Sequence, residues 1–201
     1  MRLHRHDIDP LEAALAVSWF TVVWSALTGA GSAVVGVLSG NVSLAGLGVT
    51  VLIDMGASAV LVWRFRHERL GGAAARPERI AHRVASIALV GFGAVLTVQA
   101  IRSLVGHADP ETSIPGLALA AASLVVLPML ARRKYDVASR VGSAALRADA
   151  HITAVGAAMA GITLVGLALN WMFGWSWTDG AAALILATVT ARQGIRGLRG
   201  N

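Results

Sequence analysis

The 201-residue chain is 56% hydrophobic and 14% charged, with a mean hydropathy of +0.67. Soluble domains carry about 25% charged residues, so an ordinary water-soluble globule is excluded. The formal charge of +6 does not indicate a nucleic-acid binder, because the basic residues flank apolar runs and form no single patch interleaved with aromatics. Cysteine is absent, which excludes a disulfide framework and a thiolate metal site and leaves carboxylate, imidazole or backbone oxygen for any metal chemistry.

Six apolar segments predict an all-α integral membrane protein, a six-transmembrane-helix bundle forming a single transmembrane domain over 1–201. The hydrocarbon core takes about 20 apolar residues per helix. The first segment, 13–38, has no ionisable side chain and is too long for a signal-peptide core, so it is expected to stay in the mature protein. The second, 42–65, is uncharged as far as Trp63 except for Asp54. The third, 82–105, and the fourth, 114–133, have cores free of ionised side chains, and the fifth, 150–173, opens beside Asp149 and His151. The sixth, 177–196, has the shortest uncharged stretch, bounded by Asp179 and by Arg192, whose long stem can snorkel to the interface. Basic links are expected over 64–83 and 132–150, with the fourth helix free to continue into the second of them or to lie along the headgroups.

Lysine and arginine are retained on the cytoplasmic side of a membrane. All 17 basic residues except Arg102 fall on one side of the six-span arrangement, which places both termini in the cytoplasm. Gly36 and Gly40, four apart, suit close helix packing, and a homodimer is one assembly open to such a bundle.

Asp54 is the informative residue of the spans. A carboxylate near mid-bilayer costs about 2.5–3.5 kcal/mol on insertion scales, so it needs a compensating role. Thr50, one turn earlier, shares its helix face, as oxygen donors around a cation or proton path would. The alternative is a protonated or hydrogen-bonded Asp54 that only holds helices together. Asp149 and His151, two residues apart, point about 200° away from each other on an ideal helix, so an intact helix presents one or the other to a site. No GxSxG, HExxH or phosphate-binding glycine loop is present; the chain is not expected to be an enzyme, to have catalytic residues or to hold a resident cofactor.

The run SGNVSLAGLGVTVLIDMGASAVLVWRFR resembles the first-to-second-helix region of the cation diffusion facilitator family. RADAHITAVGAAMAGITLVGLALNWMFGWSWTDGAAALILA is similar to its fifth helix, tryptophan-rich outer turn and sixth helix, and PGLALAAASLVVLPMLARRK to the fourth helix of a short bacterial subgroup without the cytoplasmic C-terminal domain. The resemblance implies a six-span bundle of that type in the bacterial plasma (inner) membrane, exporting a divalent cation such as zinc or cobalt in exchange for protons, the metal being substrate. It places the second-helix ligand positions at Thr50 and Asp54 and the fifth-helix positions at Ile152 and Gly156, or, after a one-residue shift, at His151 and Val155. A tetrahedral set of four side chains, as zinc prefers, is therefore missing. The metal-ligand candidates are Asp54, Thr50, His151 and Asp149. The rival expectation is a non-transporting membrane scaffold or partner subunit with a degenerate metal site.

Overall fold

A computed structural model describes residues 9–38, 42–105, 114–174 and 178–200. Among them are six helices and no strand: α1 (Pro10–Leu38), α2 (Val42–Arg69), α3 (Ala75–Val105), α4 (Ile114–Val141), α5 (Ala144–Phe173) and α6 (Thr178–Arg199). This is the expected all-α bundle. Three helices, over Pro10–Gly31, Ala75–Val105 and Ala144–Phe173, are by themselves long and apolar enough to cross a bilayer.

The helices run further than the apolar segments. With 28 to 31 residues each, α1 to α5 are roughly 42–46 Å long, well beyond the ~30 Å hydrocarbon core. The basic links expected over 64–83 and 132–150 are consequently mostly helix. α2 continues to Arg69 and α3 starts at Ala75, while only Gly142 and Ser143 separate α4 from α5. Hydropathy marks where a helix leaves the lipid and says nothing about where its hydrogen-bond ladder ends. The real breaks carry their own signals, since Gly71 and Gly142 both take positive φ, which a side chain would resist. At the other end of the chain, Asp9 accepts from the Leu11 amide at 3.1 Å and Pro10 opens α1, the favoured cap and first-turn pair.

α1 packs along α2, α3 along α6 and α4 along α5, with α2 and α5 meeting across the middle. The α3–α6 seam is glycine-tight. A Cβ at Gly194 would fall 2.8 Å from the Ser86 carbonyl oxygen, and one at Gly93 would fall 3.0 Å from the Ala191 amide nitrogen. Lipid tails give helices no hydrophobic reason to associate, so this close backbone approach carries the pairing. Gly40 and the Gly36 side-chain position lie outside the described residues.

α1 has its polar side inward. Ser18, Thr21 and Ser25 are buried on one face, while Trp19, Phe20, Val23 and Leu27 are exposed on the other, where lipid would lie. Hydroxyls in the spans are largely satisfied by their own helix: Thr21 donates to the Val17 carbonyl at 2.9 Å, Thr97 to Gly93 at 2.8 Å and Thr190 to Leu186 at 2.7 Å. Ser25 is an exception that matters below.

At the basic end of the bundle, Arg64 is only 4% exposed and lies 2.6 Å from Glu78 and 3.2 Å from Glu68, with its guanidinium 4.1 Å above the Phe65 ring. Glu78 also accepts from the Ser143 hydroxyl and, at 2.8 Å, from the Ala145 amide at the start of α5. Ser143 in turn caps the helix by accepting from the Leu146 amide at 3.0 Å. One carboxylate thus ties α2, α3 and the α4–α5 turn. Glu78→Ala leaves the buried Arg64 with Glu68 as its remaining carboxylate partner and removes an acceptor from a helix N-terminus, so it should destabilise the bundle by about 1–3 kcal/mol, read as a lowered Tm in detergent. An unchanged Tm would show that the clasp carries no stability.

Candidate functional site

The site is built where α1, α2, α4 and α5 converge. Asp54 lies on α2, and its Oδ2 accepts from Ser25 on α1 at 2.9 Å. Its Oδ1 is buried and has no hydrogen-bond partner among the described residues. One turn further along α2, Ser58 is fully buried and donates to Asp149 Oδ1 on α5 at 2.9 Å. Asp149 Oδ2 lies 2.6 Å from Lys134 Nζ on α4, and both side chains are 0% exposed. Lys134 also donates to the Thr153 hydroxyl at 2.8 Å, and Thr153 donates back to the Asp149 carbonyl at 3.2 Å. Through Ser58, one turn from Asp54, the Asp54 face of α2 meets the Lys134–Asp149 pair, so the two carboxylates and the ammonium lie on neighbouring turns of one polar cluster.

Local sequence explains the assembly. Asp54 and Ser58 on α2, like Asp149 and Thr153 on α5, are four apart and share a helix face. Apolar clusters flank them: Leu61, Phe65, Leu130, Val137 and Leu146 on one side, and Ala57, Phe92, Leu96, Ile152 and Val155 on the other. Ser58, Lys134 and Asp149 are fully buried, so the ion pair is held among hydroxyls in an otherwise apolar interior.

The four candidates read from the sequence have different fates. Asp54 and Asp149 are brought into the same cluster. His151 is turned elsewhere, its Nδ1 2.9 Å from the Tyr135 hydroxyl, while its Nε2 is buried without a hydrogen-bond partner among the described residues. The Thr50 side chain lies outside the described residues. Ile152, one of the alternative fifth-helix positions, is packed in the apolar cluster, and Gly156 faces Leu127. Lys134, Ser58, Thr153 and Ser25 were not anticipated. Among the described residues, no group of three or more His, Cys, Asp or Glu side chains is placed to hold a metal ion.

The model of the cation efflux transmembrane domain family matches residues 18–201 of the chain. The chain belongs to the cation efflux family. It is therefore a multi-pass membrane protein whose surroundings are lipid, in a family built for metal cation transport. No curated protein matches the chain. Within the cation efflux bundle the two halves of the cluster differ. The Asp54 half has a buried oxygen without a hydrogen-bond donor among the described residues, whereas the Asp149 half is paired with an amine of the protein itself.

Proposed function

We propose that this cation efflux protein is a secondary transporter that exports a divalent metal cation in exchange for protons, with Asp54 as the ligand in the membrane. The observation that supports the reading most directly is Asp54 Oδ1, buried inside the bundle with no hydrogen-bond partner among the described residues. A carboxylate so placed is costly and binds either a cation or a proton, and the two exclude each other. Ser25 fixes the other oxygen, leaving Oδ1, unpartnered among the described residues, as the coordination position, with Thr50 one turn earlier in the sequence of the same helix as a second oxygen donor. The one-sided basic residues support an orientation with both termini in the cytoplasm, and the resemblance to a short bacterial subgroup supports a bacterial inner membrane as its location.

A second reading, a membrane scaffold or partner subunit, draws support from Lys134. An ammonium fixed on Asp149 removes a carboxylate that a metal centre would use. Metal uptake into everted or reconstituted vesicles under an imposed pH gradient separates the two. Transport requires uptake of at least one of zinc, cobalt, nickel, manganese and iron, accompanied by proton movement in the opposite direction. Uptake of none of the five would leave the scaffold.

A further inference from the structure

We propose that Lys134 is a tethered cation occupying a second cation position, formed by Asp149, Ser58 and Thr153 one turn from Asp54, and that its presence limits which ions the protein takes. The inference rests on the reading of Asp54 as the cation ligand.

Four observations carry it. Lys134 Nζ is fully buried and held by one carboxylate and one hydroxyl, the kind of oxygen surroundings a bound metal ion would have. The donors are laid out on successive turns of two helices facing each other, Asp54 and Ser58 on α2, Asp149 and Thr153 on α5, and the Ser58 hydroxyl already bridges the helices. The ammonium projects from a third helix, α4, so the oxygen donors are contributed independently of it. Lys134 is also the only lysine among 17 basic residues. A compact ammonium fits a cluster of this kind, where the broad guanidinium used everywhere else in the chain would demand a larger cavity and more acceptors.

Charge then decides the selectivity. As carboxylates, Asp54 and Asp149 would supply two negative charges, and Lys134 offsets one of them. A divalent ion at the Asp149 position itself would meet the ammonium there and leave an uncompensated positive charge in a buried site, which is strongly unfavourable at close range, so the wild type takes its divalent ion on the Asp54 side alone. With the ammonium removed, the carboxylate pair matches a divalent ion. The donors are all oxygen, so the ion that gains should be a hard one such as manganese, in preference to zinc, which favours imidazole and thiolate.

The test uses the purified full-length protein in detergent, with Mn²⁺ as probe, calorimetric titration for affinity and thermal unfolding for stability. Lys134→Met should bind Mn²⁺ at least about 10-fold more tightly than wild type, because one unit of like charge has been removed at contact range. Its Tm should rise on Mn²⁺ addition far more than that of wild type. Lys134→Gln, which keeps a hydrogen-bond donor but no charge, should show the same gain, and adding Asp149→Asn to either variant should abolish it. Unchanged Mn²⁺ affinity in both, or a gain indifferent to Asp149→Asn, would overturn the proposal. So would failure of both variants to fold in Mn²⁺, since a bound cation would have replaced the ammonium. If the gain appears but survives Asp54→Asn, the second position stands and Asp54 is not its partner. If wild-type transport depends on Asp54 while neither variant gains Mn²⁺ affinity, the role given to Lys134 falls alone.

Discussion

Asp54→Asn should abolish metal uptake in reconstituted vesicles, lowering it by about 100-fold or more, while leaving the bundle folded. Loss of a partner that only orients a ligand costs about 10- to 100-fold in metal affinity, and loss of the ligand's own charge should reach or exceed the upper end. The substitution nearly preserves shape. The asparagine oxygen can still accept from Ser25, whose bond to the carboxylate is 2.9 Å, so the α1–α2 contact has little reason to change. In the wild type, protons compete with metal for the carboxylate, so binding should weaken as pH falls and metal addition should release protons into a weakly buffered solution. In Asp54→Asn both pH effects should vanish with the transport. Full uptake by Asp54→Asn would remove this residue from the mechanism, and a collapse of Tm without any wild-type transport would assign it to holding helices together.

The second large effect concerns stability. Asp149→Leu leaves the Lys134 ammonium in the interior without its contact partner, a loss of about 3–5 kcal/mol typical of breaking a buried pair from one side. Lys134→Met should cost a similar amount in metal-free buffer, leaving the carboxylate unpaired. The double variant, Lys134→Met with Asp149→Leu, removes both members of the pair and should recover most of the loss, because replacing a whole buried pair by apolar groups is often close to neutral. Thermal unfolding of the four proteins gives the coupling directly. Strictly additive losses would mean that the pair, although 2.6 Å apart, contributes no mutual stabilisation.

The helices were legible in the sequence because length and charge are local properties: an uncharged run bounded by arginines reads as a helix in lipid wherever it packs. Their ends were less so. Arg64 looked like part of a loop but is buried against Glu78 and Phe65, since a helix carries its ladder past the lipid until glycine or a cap stops it. Asp54 stood out because its cost is also local. Lys134 did not, because it sits in a run with Arg132 and Arg133 and reads as one more charge retained on the cytoplasmic side. Only the packing of α4 on α5 shows that this one turns inward. Two traces of it are nevertheless in the chain: the pairing of Asp with Ser or Thr at a spacing of four on both α2 and α5, and a solitary lysine in a chain that uses arginine at every other basic position.

That solitary lysine also makes the protein its own reporter. The chain has a single ε-amine, and it is sealed in the interior with an exposure of 0%. Amine-selective acylation of the native protein is therefore confined to the amino terminus while the helices stay closed. Each acylated Lys134 side chain counts one molecule whose interior has opened to solvent, so the time course of labelling measures the frequency of opening without any engineered probe.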